Sequence, residues 1–438
     1  MNDRPPRVSV ATVGCKVNRF ESEALEQSLR QRGFQVVGPG EAADVVIVNS
    51  CTVTHRSDRD TRALVRRARQ AHPGARIVVT GCYAQVAPQD LVDVGADLVV
   101  GTGAKMSVPD LLERGACGVH RDEPADPVSG RFPEVRGLRG RARAYLKVQD
   151  GCEAFCAYCI VPYARGPSRS LPLDRVREGL ASLGRAGYRE VVLTGVHLGL
   201  WGRDLDPPRP LEALLDAAES SGIPRVRLSS LEPGELTPAV VDRLARSDVL
   251  CPHVHVPVQS GSDRILAAMG RPYGADRVRE RVGDLAGRIE GVCIGMDLIV
   301  GFPGEGEAEF EETVRLVEEL PVAYLHVFPF SPRRGTRAWD LPGRVPPGVI
   351  KRRAARLRSL SQEKRQAFRR SQVGRVLPAL AEGPARGGAA LRFRTRNYLA
   401  VQVDWQGPRP VDEVPVRVDA LDGDVLRGTL VPDDACEE

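Results

Sequence analysis

No stretch of this chain comes near the ~20 consecutive apolar residues of a membrane-spanning helix. The opening Met1-Asn-Asp-Arg-Pro-Pro lacks the basic start and apolar run of a signal peptide. Both absences lead us to expect a cytoplasmic protein with no membrane partner. Lysine is nearly missing: five residues, Lys16, Lys105, Lys147, Lys351 and Lys364, leave arginine to carry the positive charge. A large charge excess is missing too, because the formal net charge is only +5 and the chain as a whole is no polycation. In a reducing compartment the ten cysteines do not read as a disulfide framework, which leaves metal ligation or thiol chemistry. A length of 438 residues allows about two to four domains at the usual ~100–200 residues each.

What is present is a triplet, Cys152, Cys156 and Cys159, spaced CxxxCxxC in the run Asp150 to Pro162. A closed zinc site takes four protein ligands, whereas an iron–sulfur cubane on three thiolates keeps one iron open to a substrate or cofactor. A structural zinc loop with a remote fourth ligand, or a cluster of buried thiols, are the other readings of the same spacing.

Along the chain, Val8 to Val13, Asp44 to Asn49, Ala75 to Thr80 and Asp97 to Val100 are apolar strands separated by amphipathic helices over Ser22 to Arg32 and Asp58 to Ala71. This pattern predicts a parallel α/β domain over 1–103. Cys15, Cys51 and Cys82 each follow a strand, at the sheet edge where open α/β folds bind ligands, so they are candidates for a second metal site. Residues 104–140 read as a linker, with Cys117 in it and without a role. Six strand-then-helix units follow, with strands at 144–148, 190–194, 225–229, 253–258, 293–300 and 323–328. They predict an open, partial (β/α)6 barrel whose polar residues collect after the strands. A helix from Val349 to Gln372 carries nine basic residues against the lone acid Glu363. That density suits phosphate, and equally a solvated face; Lys351, Arg352, Arg353, Arg356, Arg365 and Arg369 are the candidate RNA contacts. Core and basic helix together span 141–371. From 372 to 432, apolar–polar alternation between Gly and Pro turns predicts a small antiparallel β-barrel. Cys251, Cys293 and the tail residue Cys436 have no assigned role.

Taken with Thr12-Val-Gly-Cys-Lys-Val-Asn18, Asn49-Ser-Cys-Thr-Val-Thr54, Thr80-Gly-Cys-Tyr83, Leu193-Thr-Gly-Val-His197, Pro257-Val-Gln-Ser-Gly-Ser262 and Asp297 to Glu305, the chain resembles the radical S-adenosylmethionine (SAM) methylthiotransferases. The resemblance implies an N-terminal three-cysteine domain, a radical SAM barrel and a C-terminal TRAM barrel. It also implies two 4Fe-4S clusters, one on Cys152, Cys156 and Cys159 and an auxiliary one on Cys15, Cys51 and Cys82, with SAM at the first. Lys16-Val17 and the run Arg203-Asp-Leu are similar to the branch that modifies N6-threonylcarbamoyladenosine beside the tRNA anticodon. That branch implies sulfur insertion at C2 of the adenine, methylation of the sulfur, a reductant such as a flavodoxin or ferredoxin, and a sulfur-delivery system. Candidate SAM contacts are Tyr158, Gly195, Val196, Ser229, Glu232, Gln259, Asp297, Gly301 and Pro303, while His197 and His255 read as local structure. The alternatives are a ribosomal-protein aspartate or isopentenyladenosine tRNA as substrate, and a non-catalytic RNA-binding iron–sulfur sensor.

Overall fold

The computed structural model describes residues 4–121, 132–133, 142–385 and 390–431. Most of the second half of the expected linker, and the tail with Cys436, lie outside the described residues. In the first domain strands β1 (Arg7–Thr12), β2 (Gln35–Val37), β3 (Val45–Ser50), β4 (Arg76–Gly81), β5 (Leu98–Val100) and β6 (Gly118–His120) form one sheet in the order β2-β1-β3-β4-β5-β6. Every pairing is parallel. Residues on alternate sides of β3 and β4 separate two cores. Val45, Ile47 and Val78 face Leu25 and Leu29 of helix α1 (Lys16–Gln31), and Val46, Val48 and Val79 face Val65 of α2 (His55–Ala71). Burial on both faces is why these strands read as continuous apolar runs.

The linker expectation needs correction. Residues 105–113 form helical turns that pack Val108 and Leu112 into the first core, and β6 adds the sheet's edge strand. β2 and β6 are as short as β5, but unlike the fully buried β5 they are partly exposed and leave no continuous apolar run.

The second unit begins with β7 (Arg143–Lys147) and a small hairpin of β8 (Gln149–Asp150) with β9 (Arg169–Ser170). It continues through β10 (Glu190–Thr194), β11 (Arg225–Leu228), β12 (His253–Gln259), β13 (Cys293–Val300) and β14 (Tyr324–Pro329). The six long strands are parallel, but they split into two three-stranded sheets, β11-β10-β7 and β12-β13-β14, joined by a bridge between Val226 and Leu250. One continuous apolar core fills the space between strands and helices.

The basic helix runs Pro347–Arg370 and leads into a closed barrel of β15 (Val376–Pro384), β16 (Ala390–Thr395), β17 (Ala400–Asp404), β18 (Val414–Asp422) and β19 (Val425–Leu430), in the order β15-β16-β17-β19-β18. Not all of it is antiparallel as expected: β17 and β19 pair in parallel, because the chain crosses over through β18 before closing the ring. The barrel is docked on the core by backbone carbonyls of its β16–β17 turn. Arg225 donates to the carbonyls of Arg394 and Thr395 at 3.0 Å each, and Arg227 to that of Arg396 at 2.9 Å.

Candidate functional site

Cys15, Cys51 and Cys82 follow β1, β3 and β4, three neighbouring strands, so the sheet brings the thiols side by side. Two glycines make the approach possible. Gly14 has φ +110°, and a Cβ there would lie 2.6 Å from Cys51 Cβ; Gly81 has φ +103°, and its Cβ would lie 2.4 Å from the Ser50 carbonyl. Asn18 fixes the loops by donating to the carbonyls of Val13 at 2.7 Å and Ser50 at 2.9 Å. Cys15 occupies the N-cap position of α1, with no side-chain hydrogen bond to the helix.

Burial and the neighbouring thiols Cys82 and Cys15 push Cys51 up to about 12. Burial raises Cys82 as well, although Arg165 and Lys105 pull it down. Cys51 and Cys82 are buried and Cys15 is exposed; two buried neutral thiols gain little from standing beside a third, whereas a metal deprotonates thiols outright, so this donor set fits a cluster.

The second triplet sits on the loop after β8. Gly151 turns it sharply, with φ +74° and room for no Cβ, since one would lie 1.9 Å from the Pro167 carbonyl. Cys152 N donates to Gly166 at 3.0 Å, Cys159 N to Cys156 at 2.9 Å and Ala157 N to Met269 at 2.8 Å, which holds the loop against the barrel. Burial, with Cys156 and Cys152 alongside, brings Cys159 up to about 12. Two cationic groups touch the sulfurs. Arg271 Nη1 lies 3.2 Å from Cys156 Sγ, and His197 Nδ1 lies 3.6 Å from Cys152 Sγ. Burial lowers the His197 imidazole, but its bonds to Cys152 and to Glu235, at 2.5 Å, raise it to about 10. The three thiols of this loop, with no fourth cysteine between Asp150 and Pro162, fit a cluster with an open position.

A cavity of about 930 Å³ lies where all three units meet. Cys15, Cys51 and Cys82 line it from the first domain; Gly195, Val196, Ser229 and Asp297 from the rim of the core; Arg365 and Arg369 from the basic helix; Arg394 and Tyr398 from the barrel. The Ser229 hydroxyl is buried and without a hydrogen-bond partner among the described residues, as expected of a group waiting for a ligand's polar atom. Asp297 Oδ1 lies 3.1 Å from both His255 Nε2 and His326 Nδ1; burial would raise its carboxyl, and these two contacts hold it at about 2.

The remaining candidates lie elsewhere. Glu232 pairs with Arg271 at 2.7 Å, beside the second triplet. Tyr158 packs toward a small core of Ala157, Met269 and Phe302 and is electrostatically coupled to Arg271. Gln259 takes φ +75° at a bulge in β12. Gly301 and Pro303 do not line this cavity. A glycine at 301 is required by the basic helix, because a Cβ would lie 2.4 Å from Ile350 Cγ1.

The basic helix is less available than its charge suggests. Arg353 is buried, donates to the Glu305 carbonyl at 3.0 Å and pairs with Glu307 at 3.0 Å, which removes it from the RNA candidates. Arg356 forks onto Glu311, Arg369 pairs with Asp424 at 2.9 Å, and Arg365 lies over the Tyr324 ring at 5.7 Å. Lys351 and Arg352 are exposed.

One network of buried charges could not be seen in the sequence. Glu21 of α1 is buried among Lys105, Lys147 at 2.9 Å and Arg165 at 2.9 Å, and Asp150 accepts from Lys147 at 3.0 Å and Arg165 at 2.9 Å. Burial would raise the Glu21 carboxyl, but Arg165, Lys105 and Lys147 hold it well below the carboxylate range. Asp150 and Arg165 flank the loop of the second triplet, and Glu21 belongs to the helix capped by Cys15. The network therefore ties the two thiol sites together.

Residues 7–101 match the model of Uncharacterized protein family UPF0004, and residues 146–317 that of the Radical SAM superfamily. The chain is 36% identical to threonylcarbamoyladenosine tRNA methylthiotransferase MtaB of Bacillus subtilis, across 86% of this chain and 84% of that one. It is 37% identical to the protein of the same name from Aquifex aeolicus, across 90% and 96%. To a tRNA-2-methylthio-N(6)-dimethylallyladenosine synthase of Cereibacter sphaeroides it is 33% identical, across 97% and 98%. Among solved structures, the radical S-adenosylmethionine methyltransferase TsrM of Kitasatospora setae, with cobalamin and a 4Fe-4S cluster bound, aligns at TM-score 0.55 and 15% identity over 74% of this chain and 72% of that one, a likeness of fold.

Proposed function

We propose that this chain, which belongs to the radical SAM tRNA methylthiotransferase family, places a methylthio group on C2 of N6-threonylcarbamoyladenosine next to the tRNA anticodon. The observation that carries this reading is the shared cavity: the first thiol triplet and the rim of the barrel open onto one space large enough for a base and its substituent. Cys152, Cys156 and Cys159 would hold one 4Fe-4S cluster and Cys15, Cys51 and Cys82 the other, as their donor sets allow. When bound, these clusters and SAM supply the radical chemistry needed at an unactivated C–H bond, together with the sulfur and the methyl group.

The chain's own residues bind and orient. Ser229 offers a free hydroxyl and Asp297 a carboxylate toward the cavity, and Gly195 with Val196 offers backbone at its rim. A Cβ at 195 would lie 2.8 Å from Gln149 Oε1, which accepts the His197 N–H at 2.8 Å, so this rim is held rigidly beside the second triplet. Arg271 lies 3.2 Å from the Cys156 sulfur and His197 3.6 Å from that of Cys152, so both side chains hold the loop in position. Glu232 and Tyr158 gather around Arg271 and would serve the same cofactor side. Lys351, Arg352 and Arg365 remain as RNA contacts on the basic helix.

A flavodoxin- or ferredoxin-like reductant and a sulfur-delivery system complete the reaction's needs. The setting is the cytoplasm, in keeping with a chain in which no described helix is long and apolar enough to cross a membrane. Nucleoside mass spectrometry of total tRNA from a deletion strain and its parent tests the reading. Loss of 2-methylthio-N6-threonylcarbamoyladenosine with accumulation of its unthiolated precursor is the expected result, and persistence of the methylthio nucleoside in the deletion strain refutes it.

A further inference from the structure

Lys16 is the first residue of α1, next to Cys15, and lines both the 930 Å³ cavity and an adjoining one of about 550 Å³ that runs between the core and the C-terminal barrel. It is half-buried, and its ammonium has neither an ion pair nor a hydrogen bond among the described residues.

The carboxylates around it are all engaged. In the larger cavity Asp297 is the one acidic side chain in a lining that also holds Arg165, Arg365, Arg369 and Arg394, and it is gripped by His255 and His326. In the smaller one Glu190 is clamped by Arg225 at 2.8 Å and Arg227 at 3.1 Å, and Glu382 takes Arg143, Arg392 at 2.9 Å and Arg394 at 3.0 Å. The wall therefore carries an excess of positive charge with one ammonium left over. Sequestering an ammonium without a counter-ion is expensive, and a ligand anion removes that cost. Tyr398 stands across the same two cavities, with its hydroxyl 3.5 Å from Arg143 and its ring stacked on His253 at 4.5 Å.

We infer that Lys16 is a specificity-determining residue that pairs with the carboxylate of the substituent on the adenine's N6, selecting substrates whose substituent is anionic over those whose substituent is apolar. The inference rests on the reading of the threonylcarbamoyl nucleoside as substrate, since that substituent ends in a carboxylate. Arg394 and Tyr398 add field and a hydroxyl from the C-terminal barrel, so the subsite is completed only when that barrel is docked.

The test uses the full chain with its clusters reconstituted and two fluorescent anticodon stem-loop RNAs. One carries N6-threonylcarbamoyladenosine, and the other the same nucleoside with its carboxylate converted to the neutral amide. Wild type binds the carboxylate RNA more tightly, by about 10- to 100-fold as for one charge-assisted hydrogen bond. K16M binds both equally, at the wild-type affinity for the amide, and K16R keeps most of the preference. Equal iron content in wild type and K16M shows that the neighbouring Cys15 site is intact, and equal SAM cleavage without RNA shows that the site of the second triplet is. Equal weakening of both RNAs in K16M overturns the inference in favour of a phosphate contact or a structural role, and so does an undiminished preference. A wild type that makes the methylthio product while K16M keeps the preference sinks this inference alone. A wild type that makes no product from the carboxylate RNA sinks the reading beneath it, and this inference with it.

Discussion

Replacing Glu21 by Gln removes one of two negative charges from a buried group that holds three positive ones, Lys105, Lys147 and Arg165, and leaves Asp150 alone against them. Glu21 is 5% exposed, so water cannot step in. Removing one partner of a buried ion pair costs about 3–5 kcal/mol. At ~2–4 °C per kcal/mol for a domain of this size, the unfolding midpoint falls by roughly 6–20 °C. Where the broken ion pairs lie says more than the total. Lys105 belongs to the first domain, whereas Lys147, Asp150 and Arg165 belong to the core, so the variant should separate the two in a calorimetric scan, the first domain melting ahead of the barrel. Scanning calorimetry near pH 7 on wild type and E21Q, each with measured iron content, is the assay. A single transition shifted by less than about 2 °C would refute the claim that this network joins the domains.

Three further outcomes are expected. Cys152→Ala abolishes SAM cleavage, whereas Cys51→Ala retains it and stops methylthio product; 5′-deoxyadenosine formation by the first variant, or product from the second, reverses the assignment of the clusters. Glu190 is buried, which would raise its carboxyl, but Arg227, Arg225 and Arg143 bring it down to about 2 from an ordinary 4.5. Its folded pKa lies below its unfolded one, so it stabilises the fold above pH 4.5 and loses roughly 3 kcal/mol as the pH falls toward 2; the acid-side slope of stability should flatten in E190Q, and an unchanged slope contradicts this. Arg353→Ala lowers stability by about 1–3 kcal/mol without changing the salt dependence of tRNA binding, whereas Lys351→Ala with Arg352→Ala reduces that dependence by roughly one ion for each phosphate-binding side chain removed, which a salt titration of RNA affinity measures.

Much of the fold was legible because buried parallel strands are runs of apolar residues: β3, buried throughout, and β10 and β13 lie where the pattern put them. Helix α1 begins six residues before the expected Ser22, since Lys16, Asn18 and Arg19 look like loop until the burial of Val17 and Phe20 is known. The cysteines stood out because three of them follow strands that turn out to be neighbours. Arg353 was misread because counting charge ignores which side of a helix a residue occupies; it shares a face with the buried Ala354, Leu357 and Ser361. The network around Glu21 could not be read at all, since its partners are 84, 126 and 144 residues away. Only the fold brings them together, and the same holds for the unpaired ammonium of Lys16.

The docking of the C-terminal barrel bears on which nucleotide can be reached. Its β16–β17 turn is held by Arg225 and Arg227, while Tyr398 stacks on His253 and lies beneath the Arg227 guanidinium at 4.8 Å. A barrel on a loose tether could grip an RNA at any distance from the reacting base. This one is a fixed jaw, so the span from its surface to the cysteines is a built-in length. A stem-loop seated on that jaw offers the chamber only the base that lies at that length.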